Sequence, residues 1–110
     1  MKTAAPMPAA QVVHLADLVQ YAEGSIVSRA LVQKPVGSIT LFAFDAGQGL
    51  NEHTAPYDAY VQVLDGAGEL VVGGTSIDVQ AGDTVLMPAG VPHAVAARQR
   101  FKMLLTMIRG

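Results

Sequence analysis

The chain has 110 residues, of which 51% are apolar and 15% are charged, and its formal net charge is -2 at pH 7. This length and composition fit one domain with one buried core and do not fit a disordered chain. The sequence contains no cysteine, which excludes disulfides, thiolate metal sites and a cysteine nucleophile, and the lack of a basic run argues against nucleic acid or an anionic membrane as partner.

The first residues, MKTAAPMPAA, are expected to form a flexible tail. Pro6 and Pro8 interrupt this segment before an apolar stretch of the kind found in signal peptides can develop. No run of roughly 18 apolar residues is present, so we expect no membrane span. We therefore predict a tail over residues 1–12, a single domain over residues 13–110, and a location in the reducing cytoplasm, which the cysteine-free composition fits.

Residues 15–22 could make about two helical turns, and after them the signals are those of short strands. Runs rich in β-branched and aromatic residues alternate with turns that contain Gly, Pro and Asp, and Asp65-Gly66 predicts a hairpin. Many short strands of this kind are typical of an all-β sandwich or barrel. The predicted strands cover residues 25–33, 38–45, 59–64, 69–72, 76–80, 84–88, 92–96 and 101–108.

The last predicted strand, FKMLLTMI, is apolar on both faces. Such a strand needs a cover on its outside as well as its inside. We expect that cover to be a second copy of the chain, which predicts a homodimer. The alternatives are a cover formed by residues 11–22 and an outer face that serves as the working surface of an interaction protein. One face carries Phe101, Met103, Leu105 and Met107, and the other carries Leu104 and Ile108.

A glycine, proline and histidine motif lies in the second half of the chain. Gly82 is followed after five residues by Pro88, after one more by Gly90, and after two more by His93. This spacing resembles the second sequence motif of the cupin superfamily, small double-stranded β-helix (jelly-roll) barrels. Ala97 stands where that motif ends in asparagine. The resemblance implies a jelly-roll cupin barrel, here with a short N-terminal helical segment, and agrees with the all-β pattern.

The first cupin motif is matched only in part. Gly47 is followed after five residues by His53, and Gly66 closes the segment as the family pattern requires. The second histidine of the family pattern corresponds to Ala55. Its glutamate corresponds to Ala59, or to Tyr60 with the longer of the two family spacings, and the distance to Gly66 favours Ala59.

In metal-binding cupins these four side chains surround one divalent ion, so the resemblance implies His53 and His93 as the remaining ligands of Fe, Ni, Zn or Mn. Catalytic zinc and non-haem iron sites usually have more protein ligands than two imidazoles. Glu52 and Asp58 are the nearest carboxylates. Both have the wrong strand parity to face inward with His53, unless Pro56 breaks the register at Asp58.

Three interpretations of the histidine pair remain open, namely a metal site, a metal-free small-molecule pocket and no discrete site. In the second, His53 and His93 would donate hydrogen bonds to a small organic acid or other anion. Tyr57, Tyr60 and Met87 would line this pocket, although packing is the commoner role of such side chains. We therefore expect a small-molecule-binding protein without an assigned activity, and the alternative is a metal-dependent cupin enzyme of the dioxygenase or isomerase kind.

Overall fold

Nine strands and one 3-10 turn make up the part of the chain that the computed structural model describes, which is residues 7–109 and the backbone of residues 2 and 3. The predicted all-β class is confirmed. Within these residues no helix is long and apolar enough to cross a membrane. The turn is Leu15–Leu18, and the strands are β1 (Lys2–Thr3), β2 (Ile26–Lys34), β3 (Gly37–Phe44), β4 (Gly49–His53), β5 (Asp58–Val72), β6 (Thr75–Gln80), β7 (Thr84–Met87), β8 (His93–Ala96) and β9 (Phe101–Ile108).

The strands form two layers, and the long strand β5 belongs to both of them. The first half of β5 pairs with β9 and β7, in a layer of order β1-β2-β3-β9-β5-β7. The second half of β5 pairs with β6 and β8, in a layer of order β6-β5-β8-β4. All pairings are antiparallel in the described strands except that of β1 with β2. The result is the jelly-roll barrel that the motif spacing implied.

The predicted hairpin at Asp65-Gly66 is wrong, because β5 continues through it. The register of β5 against β9 shifts between Val63 and Asp65, which places one extra residue on β5. Gly66 has a φ of +72°, and a Cβ there would collide with the carbonyl oxygen of Arg100. An extra residue followed by a left-handed glycine bends a strand without ending it. This bulge carries β5 from one layer into the other.

The core lies between the two layers and follows the period-two alternation of the strands. Along the first half of β5, Ala59 and Val61 are buried while Asp58 and Tyr60 are exposed. The predicted inward face of β9 is confirmed, since all four of its apolar side chains pack in the central cluster. The largest fully buried side chains are Phe44, Phe101, Leu41, Leu70, Met103 and Val61.

The outer face of β9 is covered in part by the chain's own N-terminal segment. Leu104 is buried in a second apolar cluster that includes Val19, with Leu15 and Leu18 packed against it. The two helical turns predicted here reduce to the single 3-10 turn, after which Val19 is already extended. An extended segment lays its apolar side chains along a sheet more evenly than a helix does. Ile108, at the other end of β9, remains 52% exposed.

Tyr21 fastens this segment to the barrel. Its hydroxyl donates a hydrogen bond of 2.6 Å to the Asp65 carboxylate. The Lys102 ammonium lies 4.9 Å, and the Arg100 guanidinium 5.3 Å, from the centre of its ring. Burial, followed by the hydrogen bond to Asp65, raises the pKa of the Tyr21 phenol. Residues 1 and 4–6 of the predicted tail lie outside the described residues, and the flexibility of that tail stays a prediction.

Candidate functional site

The two histidines lie side by side at one end of the barrel. His53, at the end of β4, is the register partner of His93, at the start of β8. Their ring centroids are 4.4 Å apart with an interplanar angle of 69°, so the rings meet edge to face. His93 is 5% exposed and His53 is exposed. One ring is therefore set into the barrel while the other faces solvent at its mouth.

A bulge in β4 brings His53 opposite His93. Leu50 pairs with Val95 and His53 pairs with His93, so β4 advances by three residues where β8 advances by two. The bulge therefore places one extra residue on β4. In a regular strand, Leu50 and His53 would point to opposite faces. The extra residue puts them on the same face and leaves Glu52 exposed. Turn-like sequence around Asn51 gives no signal for this bulge, and β4 was not among the predicted strands.

Each imidazole is oriented by a main-chain carbonyl two residues earlier. The Nδ1 of His53 is 2.9 Å from the carbonyl oxygen of Asn51, and the Nδ1 of His93 is 3.2 Å from that of Val91. A carbonyl only accepts, so each Nδ1 carries the donated proton. The neutral rings therefore keep their lone pair on Nε2, and neither Nε2 has a hydrogen-bond partner among residues 7–109.

The other two family metal positions hold methyl groups. Ala59 is 1% exposed in the core, and Ala55 is half-buried. Asp58 lies on the exposed face of β5, where its Oδ1 accepts a 3.0 Å hydrogen bond from the Ala89 amide. In the described part of the chain, no three His, Cys, Asp or Glu side chains come together to hold an ion. The residues present therefore do not fit the family's metal centre.

The loop after β7 is hydrogen-bonded to the segment that contains Ala55 and Asp58. The Gly90 amide donates a 2.9 Å hydrogen bond to the Ala55 carbonyl, next to the bond from Ala89 to Asp58. Five residues then lead from Met87, which is 2% exposed, to His93. Met87 packs with Ala59 in the core and is its register partner. The first-motif segment and the second-motif segment thus meet at one mouth.

The two tyrosines take different places. Tyr60 is 37% exposed on the outer face of β5, so the structure does not bring it to the histidines. Tyr57 is half-buried, and its hydroxyl accepts a hydrogen bond from Nη2 of Arg109. The Arg109 guanidinium lies 4.9 Å from the centre of the Tyr57 ring.

Arg109 was missed by the sequence reasoning. Its position depends on the register of Ile108 against Gly37, for which the sequence carries no local signal. Tyr57 and Arg109 line a cavity of about 180 Å³ between the β2–β3 turn and the end of β9. A larger cavity of about 310 Å³, which Arg98 and Asp78 line, shares no residue with the histidine pair.

Comparisons with known proteins agree with this architecture. The Cupin_2 family model, described as a cupin domain, matches residues 40–108. A solved structure of a conserved protein of unknown function from Streptococcus pyogenes is 36% identical, covers 96% of this chain and 93% of its own, and has a TM-score of 0.92. A cupin superfamily protein from Desulfitobacterium hafniense is 29% identical over 96% of this chain and 97% of its own, with a TM-score of 0.90.

A third solved structure is a cupin 2 conserved barrel domain protein from Leptotrichia buccalis. It is 45% identical over 86% of this chain, with a TM-score of 0.83. The matched region is 46% of that protein's length, so this chain spans about half of it. No curated protein matches the chain.

Proposed function

The chain belongs to the Cupin_2 family of cupin domains, and from that premise we propose that it binds a small molecule at the barrel mouth near His53 and His93. The observation that carries this proposal is the paired orientation of the two imidazoles. Both have Nδ1 on a backbone carbonyl, which leaves Nε2 available to contact a ligand. No reaction is assigned to the site.

The surroundings have the character of a small-molecule site. The interior beside His93 is apolar, with Ala59, Met87 and Val95 all buried in one cluster. A few oriented polar groups beside an apolar interior are typical of small-molecule sites. A neutral Nε2 accepts a hydrogen bond from a hydroxyl, whereas a protonated Nε2 donates one to an anion. Small acids and phenols are therefore the ligands that this pair suits.

The alternative, a metal-dependent enzyme, has less support. Two imidazoles leave an iron or zinc ion short of the three protein ligands that catalytic sites usually supply. Asp58 is engaged with the Ala89 amide, and Glu52 is exposed. Neither carboxylate therefore completes the ligand set, and the two histidines alone favour an organic ligand over a catalytic ion.

A thermal-shift screen of small organic acids and phenols tests the proposal. A ligand present at 100 times its dissociation constant should stabilise the fold by about 2.7 kcal/mol. We expect this stabilisation to disappear in His53→Ala and in His93→Ala. His14→Ala is the matched control, because His14 is exposed in the N-terminal segment and should leave binding unchanged. Stabilisation that survives both barrel substitutions, or no stabilising compound at all, would refute the proposal.

The homodimer also stays a proposal, as does the cytoplasmic location. Three apolar side chains on adjacent strands of one layer are exposed, namely Tyr60 on β5, Leu86 on β7 and Ile108 on β9. Tyr60 is the register partner of Leu86. Such a surface supports self-association through matching faces of two copies.

A further inference from the structure

We propose that the cavity beside Tyr57 is an anion subsite, in which Arg109 and Lys34 bind the carboxylate or phosphate group of a small ligand. This rests on the proposed function only in that the rest of the same ligand would reach the histidine pair. The subsite itself stands on its own contacts and charges. It would fix the ligand class as small molecules that carry an oxyanion.

The cavity is built from three segments that meet at the barrel mouth. The β2–β3 hairpin supplies Lys34 and Ser38, and the segment before β5 supplies Tyr57. Met107 comes from the end of β9, and Arg109 directly follows that strand. The backbone amide of Arg109 donates a 2.9 Å hydrogen bond to the carbonyl of Val36 in the β2–β3 turn, which closes one side. The walls therefore combine two cations, two hydroxyls and an apolar thioether.

Arg109 is oriented before any ligand arrives. Its guanidinium lies over the Tyr57 ring at 4.9 Å from the centroid, and Nη2 donates to the Tyr57 hydroxyl. Guanidinium has five N–H donors in a fixed plane, so several remain for an oxyanion. A planar fork held in this way suits the paired hydrogen bonds that carboxylate and phosphate accept.

Among the described residues, no carboxylate neutralises the two cationic residues of the cavity. Within residues 7–109, no carboxylate lies within ion-pair distance of Lys34 or Arg109. Arg98 and Arg100, by contrast, lie 3.1 Å and 2.8 Å from the carboxylates of Glu69 and Asp45. Two cations facing one concave space without a counter-charge attract an anion.

One side chain connects the cavity to the core cluster. Met107 lines it and also packs against the core cluster that holds Ala59, its register partner. Tyr57 belongs to the short segment between His53 and β5. At about 180 Å³ the cavity is smaller than the roughly 300 Å³ at which ordinary ligand pockets begin. A cavity of this size suits one anionic group, and the remainder of the ligand would have to extend outside it to reach the histidines.

Side-chain NMR on the whole labelled chain tests this subsite. Sodium benzoate and sodium phosphate are titrated at pH 7 and constant ionic strength, with benzamide as the neutral match for benzoate. We expect a saturable shift of the Arg109 Nε–H resonance with at least one of the two anions and none with benzamide. The anion that saturates at the lower concentration then identifies the oxyanion as carboxylate or phosphate.

Two arginine variants sharpen the result. Arg109→Gln should weaken anion binding at least about tenfold, since it removes a charge-assisted contact. Its fold is checked by its backbone amide spectrum, and Arg109 is exposed. Arg98→Gln, at the larger cavity, is the matched control and should bind as the wild type does. Equal shifts with benzamide, undiminished binding by Arg109→Gln, or no saturable shift with either anion would overturn the proposal.

The histidine variants separate this proposal from the proposed function. If His53→Ala and His93→Ala leave the anion shift at Arg109 intact while the thermal screen finds no histidine-dependent ligand, the proposed function fails and the subsite stands. If the screen succeeds with neutral compounds alone and Arg109 does not respond to anions, the subsite fails and the histidine pocket stands.

Discussion

We expect the methyl groups of Ala55 and Ala59 to limit what His53 and His93 can bind together. Imidazoles that are oriented by a carbonyl on Nδ1 are prepared to use Nε2 for a metal as readily as for an organic ligand. The described residues provide no third His, Cys, Asp or Glu side chain as a further ligand for an ion. Ala59, which the motif alignment assigns to the family's carboxylate position, is buried between its register partners Met87 and Met107.

Restoring the two missing ligands should therefore restore metal binding. The double substitution Ala55→His with Ala59→Glu is expected to bind Zn²⁺ or Ni²⁺ at close to one ion per chain, whereas the wild type should hold well under one. Elemental mass spectrometry after purification without chelator, followed by calorimetric titration, measures both. Ala55→Asn with Ala59→Gln is the control, because it adds comparable bulk without the same ligand set. A folded double variant that takes up no metal would show that the motif alignment is wrong.

The histidine positions could be predicted from sequence because glycine and proline spacing records turn geometry. The burial of Ala59 and the exposure of Asp58 and Tyr60 follow from strand parity. The cavity around Arg109 could not be predicted, since it forms only when β9 pairs with β3 in one particular register. Long-range register is set by packing and leaves no local trace.

At the scale of elements, the bulge in β5 shows that an Asp-Gly pair can form either a hairpin turn or a β-bulge. Asp followed by Gly supplies a residue that tolerates left-handed backbone, which both a tight hairpin and a bulge require. The choice depends on the partner strand. Here β9 continues to pair with β5 on both sides of the bulge, from Val63 to Gly66, so the chain bends and does not reverse.

The N-terminal segment is held by apolar packing and by the contacts of Tyr21, and the Tyr21 part of its attachment should depend on pH. Burial and the hydrogen bond to Asp65 raise the pKa of Tyr21 above its ordinary value of 10.0. Below pH 10 the phenol is protonated in both folded and unfolded chains, so its contribution is complete. Above pH 10 the unfolded chain loses the proton first, and stability should fall by at most about 1.4 kcal/mol per pH unit.

Urea unfolding between pH 8 and pH 11 measures this dependence. Tyr21→Phe should lower stability at pH 8 by about 1 kcal/mol, through the lost hydrogen bond, and should flatten the decline above pH 10. Tyr60→Phe removes a phenol that lies outside this contact and is the control. If the free energy of unfolding of Tyr21→Phe falls as steeply above pH 10 as that of the wild type, the titration of Tyr21 does not cause the decline and the prediction is wrong.

For the whole molecule, the question is how much of the outer sheet face the chain covers by itself. The N-terminal segment buries Leu104 and one end of this face. Tyr60, Leu86 and Ile108 remain exposed at the other end, 37%, 46% and 52% respectively. A stable interface buries about 800 Å² of solvent-accessible surface on each partner. That is a modest part of the 6139 Å² of accessible surface of the described chain. The uncovered end of the layer is thus the place where a second copy would bind.

We therefore expect light scattering on a sizing column to give twice the 11.5 kDa mass of the chain. Leu86→Lys should shift the protein to the monomer at micromolar concentration, because a lysine there would be buried without a partner in the dimer. Val12→Lys introduces the same charge at a side chain of the N-terminal segment that is 94% exposed, so it should leave the dimer intact. A monomeric wild type at all concentrations would contradict the proposal. A dimer that survives Leu86→Lys would place the interface elsewhere, because the charge would then still be in water.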